Sequence, residues 1–133
     1  ELLRGLPLFE LCSKRDLRRI AAIAVERELD AGAELIREGE PAGEFYVVVE
    51  GEVDVRRRGR RVAHLGEGSF VGEIALLSRS PRTATVIAST PVRVLAISGR
   101  DFVALLDTLP ELWLKVARTL ADRVDADEAS DGG

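Results

Sequence analysis

Glu73 and Arg82 stand near the two ends of one short segment, Phe70-Val71-Gly72-Glu73-Ile74-Ala75-Leu76-Leu77-Ser78-Arg79-Ser80-Pro81-Arg82-Thr83-Ala84-Thr85, whose residue types suit ligand chemistry. A guanidinium donates two parallel charge-assisted hydrogen bonds to a phosphate. A carboxylate accepts hydrogen bonds from sugar hydroxyls. Gly72 allows a tight backbone and close approach of a ligand. Residues 73–77 read as one helical turn whose N–H groups point at an anion. Pro81 then returns the chain toward a strand and brings Arg82 to the same place. Taken singly, an Arg before a strand is more often a surface charge, and a Glu here more often caps a short helix. Held together on one loop, an Arg for phosphate and a Glu for ribose suit a nucleotide with a single negative charge.

The elements that must position this loop are legible on either side of it. Ser13 with Asp16 forms the polar half of a helix cap, and Leu17, Ile20, Ala21 and Ala24 follow at helical spacing. Pro7 ends anything helical before it, which predicts a short helix, a turn and a second helix over 14–23. From Val25 to Ile97 glycines recur at 32, 39, 43, 51, 59, 66, 68 and 72, between short runs of Val, Leu and Ile. Phe45, Val47 and Val49 alternate, as do Val53 and Val55, then Ala84, Val86 and Ala88, then Val92, Val94 and Ala96. Short strands with regular turn signals predict a sandwich or roll and not a βαβ fold. Ser98 with Asp101 caps a helix carrying Phe102, Val103, Leu105 and Leu106. Pro110 suits the first turn of another. In that last helix Trp113, Val116, Ala117, Leu120 and Val124 form one face, away from Lys115, Arg118 and Asp122.

The segment from Phe70 resembles the phosphate-binding cassette of the cyclic-nucleotide-binding domain family, whose pattern runs close to F-G-E-[LI]-A-L and then P-R-[TSA]-A. Its halves read FVGEIALL and SPRTAT here, with Val71 inserted between Phe70 and Gly72. Glu50-Gly51-Glu52 and the run from Leu65 to Gly68 also match, and the resemblance covers nearly the whole chain. It implies a mainly β fold with flanking helices: an eight-stranded antiparallel β-roll (a double-stranded β-helix or jelly roll) with N-terminal helices and two C-terminal helices. The implied domain is 1–124, with helices in 1–24, the roll in 25–97, the cassette at 70–85 and helices in 98–124. Residues 125–133, an acidic stretch of small residues, are expected to be a disordered tail or linker.

The resemblance also implies roles. Arg82, Thr83, Ala84 and Ala75 would hold the cyclic phosphate, and Glu73 with Gly72 the ribose. The base pocket would use Val62, Val71 and Thr83, with a residue between Ala117 and Val124. The ligand would be cAMP or cGMP. Thr after the Arg serves guanine recognition in some members and also occurs in cAMP receptors; cAMP is the favoured reading. The roll would be a rigid scaffold, with the cassette and final helices moving on occupancy. A covalently linked effector domain or a homodimer is the implied partner.

Residues outside the cassette carry plainer expectations. Arg56, Arg57, Arg58, Arg60 and Arg61 around Gly59 read as a solvated hairpin tip, the alternative being contact with phosphates, lipid head groups or an acidic partner. His64 is expected to be structural or at the surface, Cys12 a small buried residue, and Trp113 a core anchor for the last helix.

The totals bound the classes. A chain of 133 residues, 46% hydrophobic and 32% charged, is one globular domain. No apolar run approaches the roughly 20 residues that span a bilayer, so no membrane insertion by this segment is expected. A net charge of −4 argues against dedicated nucleic-acid binding. One Cys and one His exclude an internal disulfide and argue against structural zinc, which makes the cytoplasm the default location. No signal peptide is visible; the first residue is Glu, so a trimmed start or a piece of a longer chain both fit. Without a second His, a nucleophile beside a base, or a paired set of carboxylates, no catalytic site is expected, and no cofactor beyond the ligand. The competing readings are a regulatory module of a channel, kinase, acyltransferase or transcription factor; an interaction scaffold that no longer binds nucleotide; and a cupin-like enzyme, which would need more His ligands.

Overall fold

The computed structural model describes residues 2–119 and 121. Two 3-10 turns, Leu2–Gly5 and Pro7–Phe9, lead to α1 (Lys14–Ile23). The first turn stops before Pro7 as expected, and Pro7 also opens the second, because its fixed φ and missing N–H suit a first helical position. The cap of α1 is reciprocal: Ser13 Oγ accepts from the Asp16 N–H at 3.1 Å, and Asp16 Oδ2 accepts from the Ser13 N–H at 3.3 Å. Leu17 and Ile20 form its buried face, whereas Ala21 is exposed.

Eight strands follow: β1 (Val25–Leu29), β2 (Glu34–Ile36), β3 (Glu44–Glu50), β4 (Val53–Arg57), β5 (Arg60–Leu65), β6 (Phe70–Val71), β7 (Thr85–Ala88) and β8 (Val92–Ser98). They make two antiparallel four-stranded sheets, ordered β1-β8-β3-β6 and β2-β7-β4-β5. This is the eight-stranded roll. A six-residue helix, α2 (Glu73–Ser78), interrupts the strands between β6 and β7, and α3 (Gly99–Thr108) follows β8. A final helix, α4, occupies 110–119 with Pro110 at its start. The expectations for Leu120, Asp122, Val124 and the 125–133 tail lie outside the described residues.

Two apolar clusters result. One gathers Phe9, Leu17, Ile20, Phe45, Val47, Leu95, Ile97, Phe102 and Val116 between the first sheet and the helices. The other joins Tyr46, Val48, Val94 and Ala96 of that sheet to Ile36, Val53, Val86 and Ala88 of the second. β3 and β8 are thus buried on both faces. For β3 the alternation of Phe45, Val47 and Val49 showed only one of them, because Tyr46 and Val48 serve the other cluster. Phe45 stacks on Phe102 with centroids 4.2 Å apart, which ties α3 to the roll.

α3 keeps its expected cap, Ser98 Oγ accepting from the Asp101 N–H at 3.1 Å. Its Phe102, Leu105 and Leu106 are buried, and Val103 faces outward. Trp113 departs from the expectation. It is 44% exposed, and Leu112 and Val116 anchor α4 instead. Val116 is on the expected face and is buried, but the inward stripe runs through Leu112 and Val116, which turns Trp113 outward. Cys12 is half-buried against the first cluster.

Candidate functional site

β6 ends at Gly72, which has φ 98° and stands directly before α2. A side chain there would place its Cβ 2.8 Å from Arg82 Nη1 and 3.0 Å from the Glu44 carbonyl oxygen. Glycine is needed both for the left-handed backbone and for the space. Lacking a side chain, Gly72 gives α2 no side-chain cap.

Arg82 returns to this point from the other end of the segment. Its backbone is fixed first: the Arg82 N–H donates to the Glu40 carbonyl at 2.8 Å, and the Arg82 carbonyl accepts from the Gly39 N–H at 2.9 Å. Its side chain is fixed next. Nη1 donates to the Gly72 carbonyl at 3.0 Å and Nη2 to the Glu44 carbonyl at 2.5 Å. The guanidinium carbon lies 6.0 Å from the centroid of the Tyr46 ring. Burial pushes the Arg82 pKa down, while Tyr46, Glu44 and Glu73 push it up. An arginine keeps its proton inside a protein, so Arg82 is a buried cation.

A second layer steadies the first. The Tyr46 hydroxyl donates to Glu44 Oε1 at 3.0 Å, and Arg27 Nη2 donates to Glu44 Oε2 at 2.8 Å. Burial, then the Glu44 carboxylate, raises the Tyr46 pKa, so its phenol keeps the proton. Glu73, 1% exposed, and Arg82, 7% exposed, are the two buried charged residues among those described.

Both line an open cleft between α2 and the second sheet. Gly72, Glu73, Ala75, Arg82, Thr83, Ala84, Val62 and Val71 all reach it, so the structure brings every named site residue to one place. The residue sought between Ala117 and Val124 does not line it among those described. Ile36, Val55, Leu65 and Val86 complete the apolar wall. Val62 and its neighbour Ala63 both line the cleft, although successive strand residues normally face opposite ways. A register shift explains it: Val55 pairs with Ala63 but Arg56 with Arg61, which leaves Val62 as the extra residue. The cleft can seat an apolar planar group against β4 and β5 while a negative charge meets Arg82 and hydroxyls meet Glu73.

A family model for the cyclic nucleotide-binding domain matches residues 26–108, from β1 to the end of α3. The chain belongs to that family. It is a regulatory, ligand-binding module, and its cassette lies at the mouth of this cleft. A cyclic nucleotide-gated potassium channel from Rhizobium etli is 36% identical over 123 residues, covering 92% of this chain and 34% of the channel. A cAMP-dependent protein kinase regulatory subunit from Eremothecium gossypii is 35% identical over 124 residues, covering 92% of this chain and 27% of that protein. The crystal structure of the Thermus thermophilus catabolite activator protein superposes with a TM-score of 0.80 at 29% identity, over 94% of this chain and 62% of that one. The domain spans about a third of the length of the curated relatives it matches.

Sequence reasoning missed Glu44, Tyr46 and Arg27. A signal for Tyr46 was present: the run from Phe45 to Val49 is apolar at every position, the mark of a strand buried on both faces. Glu44 meets Arg82 through its backbone oxygen, which no residue type advertises, and its carboxylate meets Tyr46 and Arg27 only in the folded chain.

Proposed function

We propose that the domain binds a 3′,5′-cyclic nucleotide in this cleft, with cAMP preferred over cGMP, and signals occupancy through its C-terminal helices. The observation that carries the proposal is the pair of buried charged side chains, Glu73 and Arg82, set in one otherwise apolar cleft. A ligand with one anionic phosphate and a neighbouring ribose hydroxyl is complementary to this pair, the phosphate to a guanidinium and the hydroxyl to a carboxylate. Arg82, Thr83, Ala84 and Ala75 hold the cyclic phosphate. Glu73 and Gly72 take the ribose, and Val62, Val71 and Thr83 contact the base.

The preference for cAMP draws support from the similarity to a cAMP-dependent kinase regulatory subunit. Signalling through helices draws support from the placement of α2. It carries the cassette and touches the first cluster through Leu76 and Leu77, the cluster in which α3 and α4 are packed. The domain performs no catalysis and works on an effector domain in the same chain or in a homodimer, in the cytoplasm. The described residues contain no helix long and apolar enough to cross a membrane.

Calorimetric titration of the purified chain with cAMP and cGMP tests this, with Arg82→Ala alongside. The expected result is one-to-one binding of cAMP at micromolar affinity or better, about −8 kcal/mol, weaker binding of cGMP, and no saturable heat in the variant. No heat with either nucleotide, in folded protein stripped of carried-over ligand, would leave the scaffold reading in its place.

A further inference from the structure

The arginine hairpin joins the two strands that wall the cleft. β4 contributes Val55 to it and β5 contributes Val62, and the residues immediately beyond them are Arg56 and Arg61. Between them the chain turns through Arg58 and Gly59 with φ of 53° and 79°. Two successive positive-φ positions make the mirror-image hairpin turn, where Asn, Asp or Gly is the ordinary choice. Arginine at position 58 sits there against the local backbone preference.

Arg56, Arg58, Arg60 and Arg61 are exposed. Acidic neighbours offset this charge only in part. Arg61 stands 3.6 Å from Asp54, which also bonds His64, and Glu38 accepts from the Arg58 backbone N–H. The formal charge of the chain is −4 and the five hairpin arginines contribute +5, so all other residues sum to −9. Over the rest of the chain, acidic residues outnumber basic ones.

We propose that the β4–β5 arginine hairpin is an electrostatic guide that draws the anionic cyclic nucleotide to the cleft. The guide acts on the rate of encounter and not on the bound contacts. This rests on the cleft being the nucleotide site as proposed above. A positive rim beside a low-dielectric cleft focuses the field and raises association rates by roughly 10- to 1,000-fold, an effect that salt removes.

The test is stopped-flow binding of a fluorescent cAMP analogue at ionic strengths of about 10 and 150 mM, where the screening length falls from about 30 to 8 Å. The hairpin variant is R56Q/R58Q/R60Q/R61Q. The control variant is K14Q/R15Q/R18Q/R19Q, which removes the same formal charge from exposed positions of α1. At low salt the hairpin variant is expected to associate about tenfold more slowly than the parent, with dissociation unchanged within about twofold. The difference should shrink at 150 mM, and the α1 variant should stay near the parent. A fourth protein, with the same hairpin arginines replaced by Lys, should keep the parent's rate. Equal association rates at low salt, a loss confined to dissociation, an equal loss in the α1 variant, or slow association in the Lys variant would each overturn the guide and leave the site intact. Failure of the parent chain to bind overturns the site itself.

Discussion

A guanidinium held by two backbone carbonyls and facing a tyrosine ring is a preorganised half-site. Arg82 already has its orientation fixed by Gly72 and Glu44, so under the proposed function little side-chain entropy is lost on meeting a phosphate. Gly72 is the residue on which that arrangement turns. Gly72→Ala must adopt φ 98° and place a methyl group 2.8 Å from Arg82 Nη1. We expect it to lose about 1–3 kcal/mol of stability from backbone strain. Because the methyl displaces Arg82, cAMP affinity should also fall by more than about tenfold. Urea unfolding and calorimetry on the same protein measure the two effects. Strain without loss of affinity would show that Arg82 tolerates another pose. Gly72, Glu73 and Arg82 could be singled out in the sequence because the roles expected of them depend on a side chain, or on the lack of one. Glu44 could not, since its main-chain bond to Arg82 and its carboxylate bonds to Tyr46 and Arg27 exist only once the strands are assembled.

At the scale of the element, the β4–β5 hairpin carries a cross-strand cluster on the face away from the cleft. His64 Nδ1 meets Asp54 Oδ1 at 2.6 Å and Nε2 meets Glu52 Oε1 at 2.5 Å. With a carboxylate at each ring nitrogen the imidazolium is the favoured form. Hydrogen bonds to Asp54 and then to Glu52 raise the His64 pKa above 6.5. The same histidine lowers the Asp54 pKa below 3.8. The sign follows: a histidine whose pKa is higher in the folded state stabilises fully below its unfolded value, and that contribution disappears as pH rises through the folded value. Melting temperatures of the parent and of His64→Gln should therefore differ most at pH 6 and converge as the pH rises through the folded value. Because the cluster is solvent-exposed, salt should shrink the gap. A gap that widens with pH would rule out the charged histidine. The sequence showed a lone histidine without partners, since Asp54 and Glu52 become its neighbours only once the strands pair in this register.

For the whole molecule, two apolar clusters share one sheet, and Phe45 sits where the helices meet it. It stacks on Phe102 at 4.2 Å and approaches Phe70 at 5.6 Å. Phe70 leads into the cassette and Phe102 lies on α3, so Phe45 joins the two through ring contacts. Phe45→Ala should cost about 3–5 kcal/mol and lower the melting temperature in a single transition. Two separate transitions would mean that the clusters fold independently. Both capped helices and a succession of short strands were legible in the sequence, because turn glycines, cap residues and short apolar runs act locally; the count of eight strands came from the family resemblance. The burial of both faces of β3 and β8, the inward stripe of α4 that leaves Trp113 half-exposed, and the Glu44–Tyr46–Arg27 brace were decided by tertiary structure. Each depends on which elements close over a given face, and local periodicity carries no information about what arrives from elsewhere in the chain.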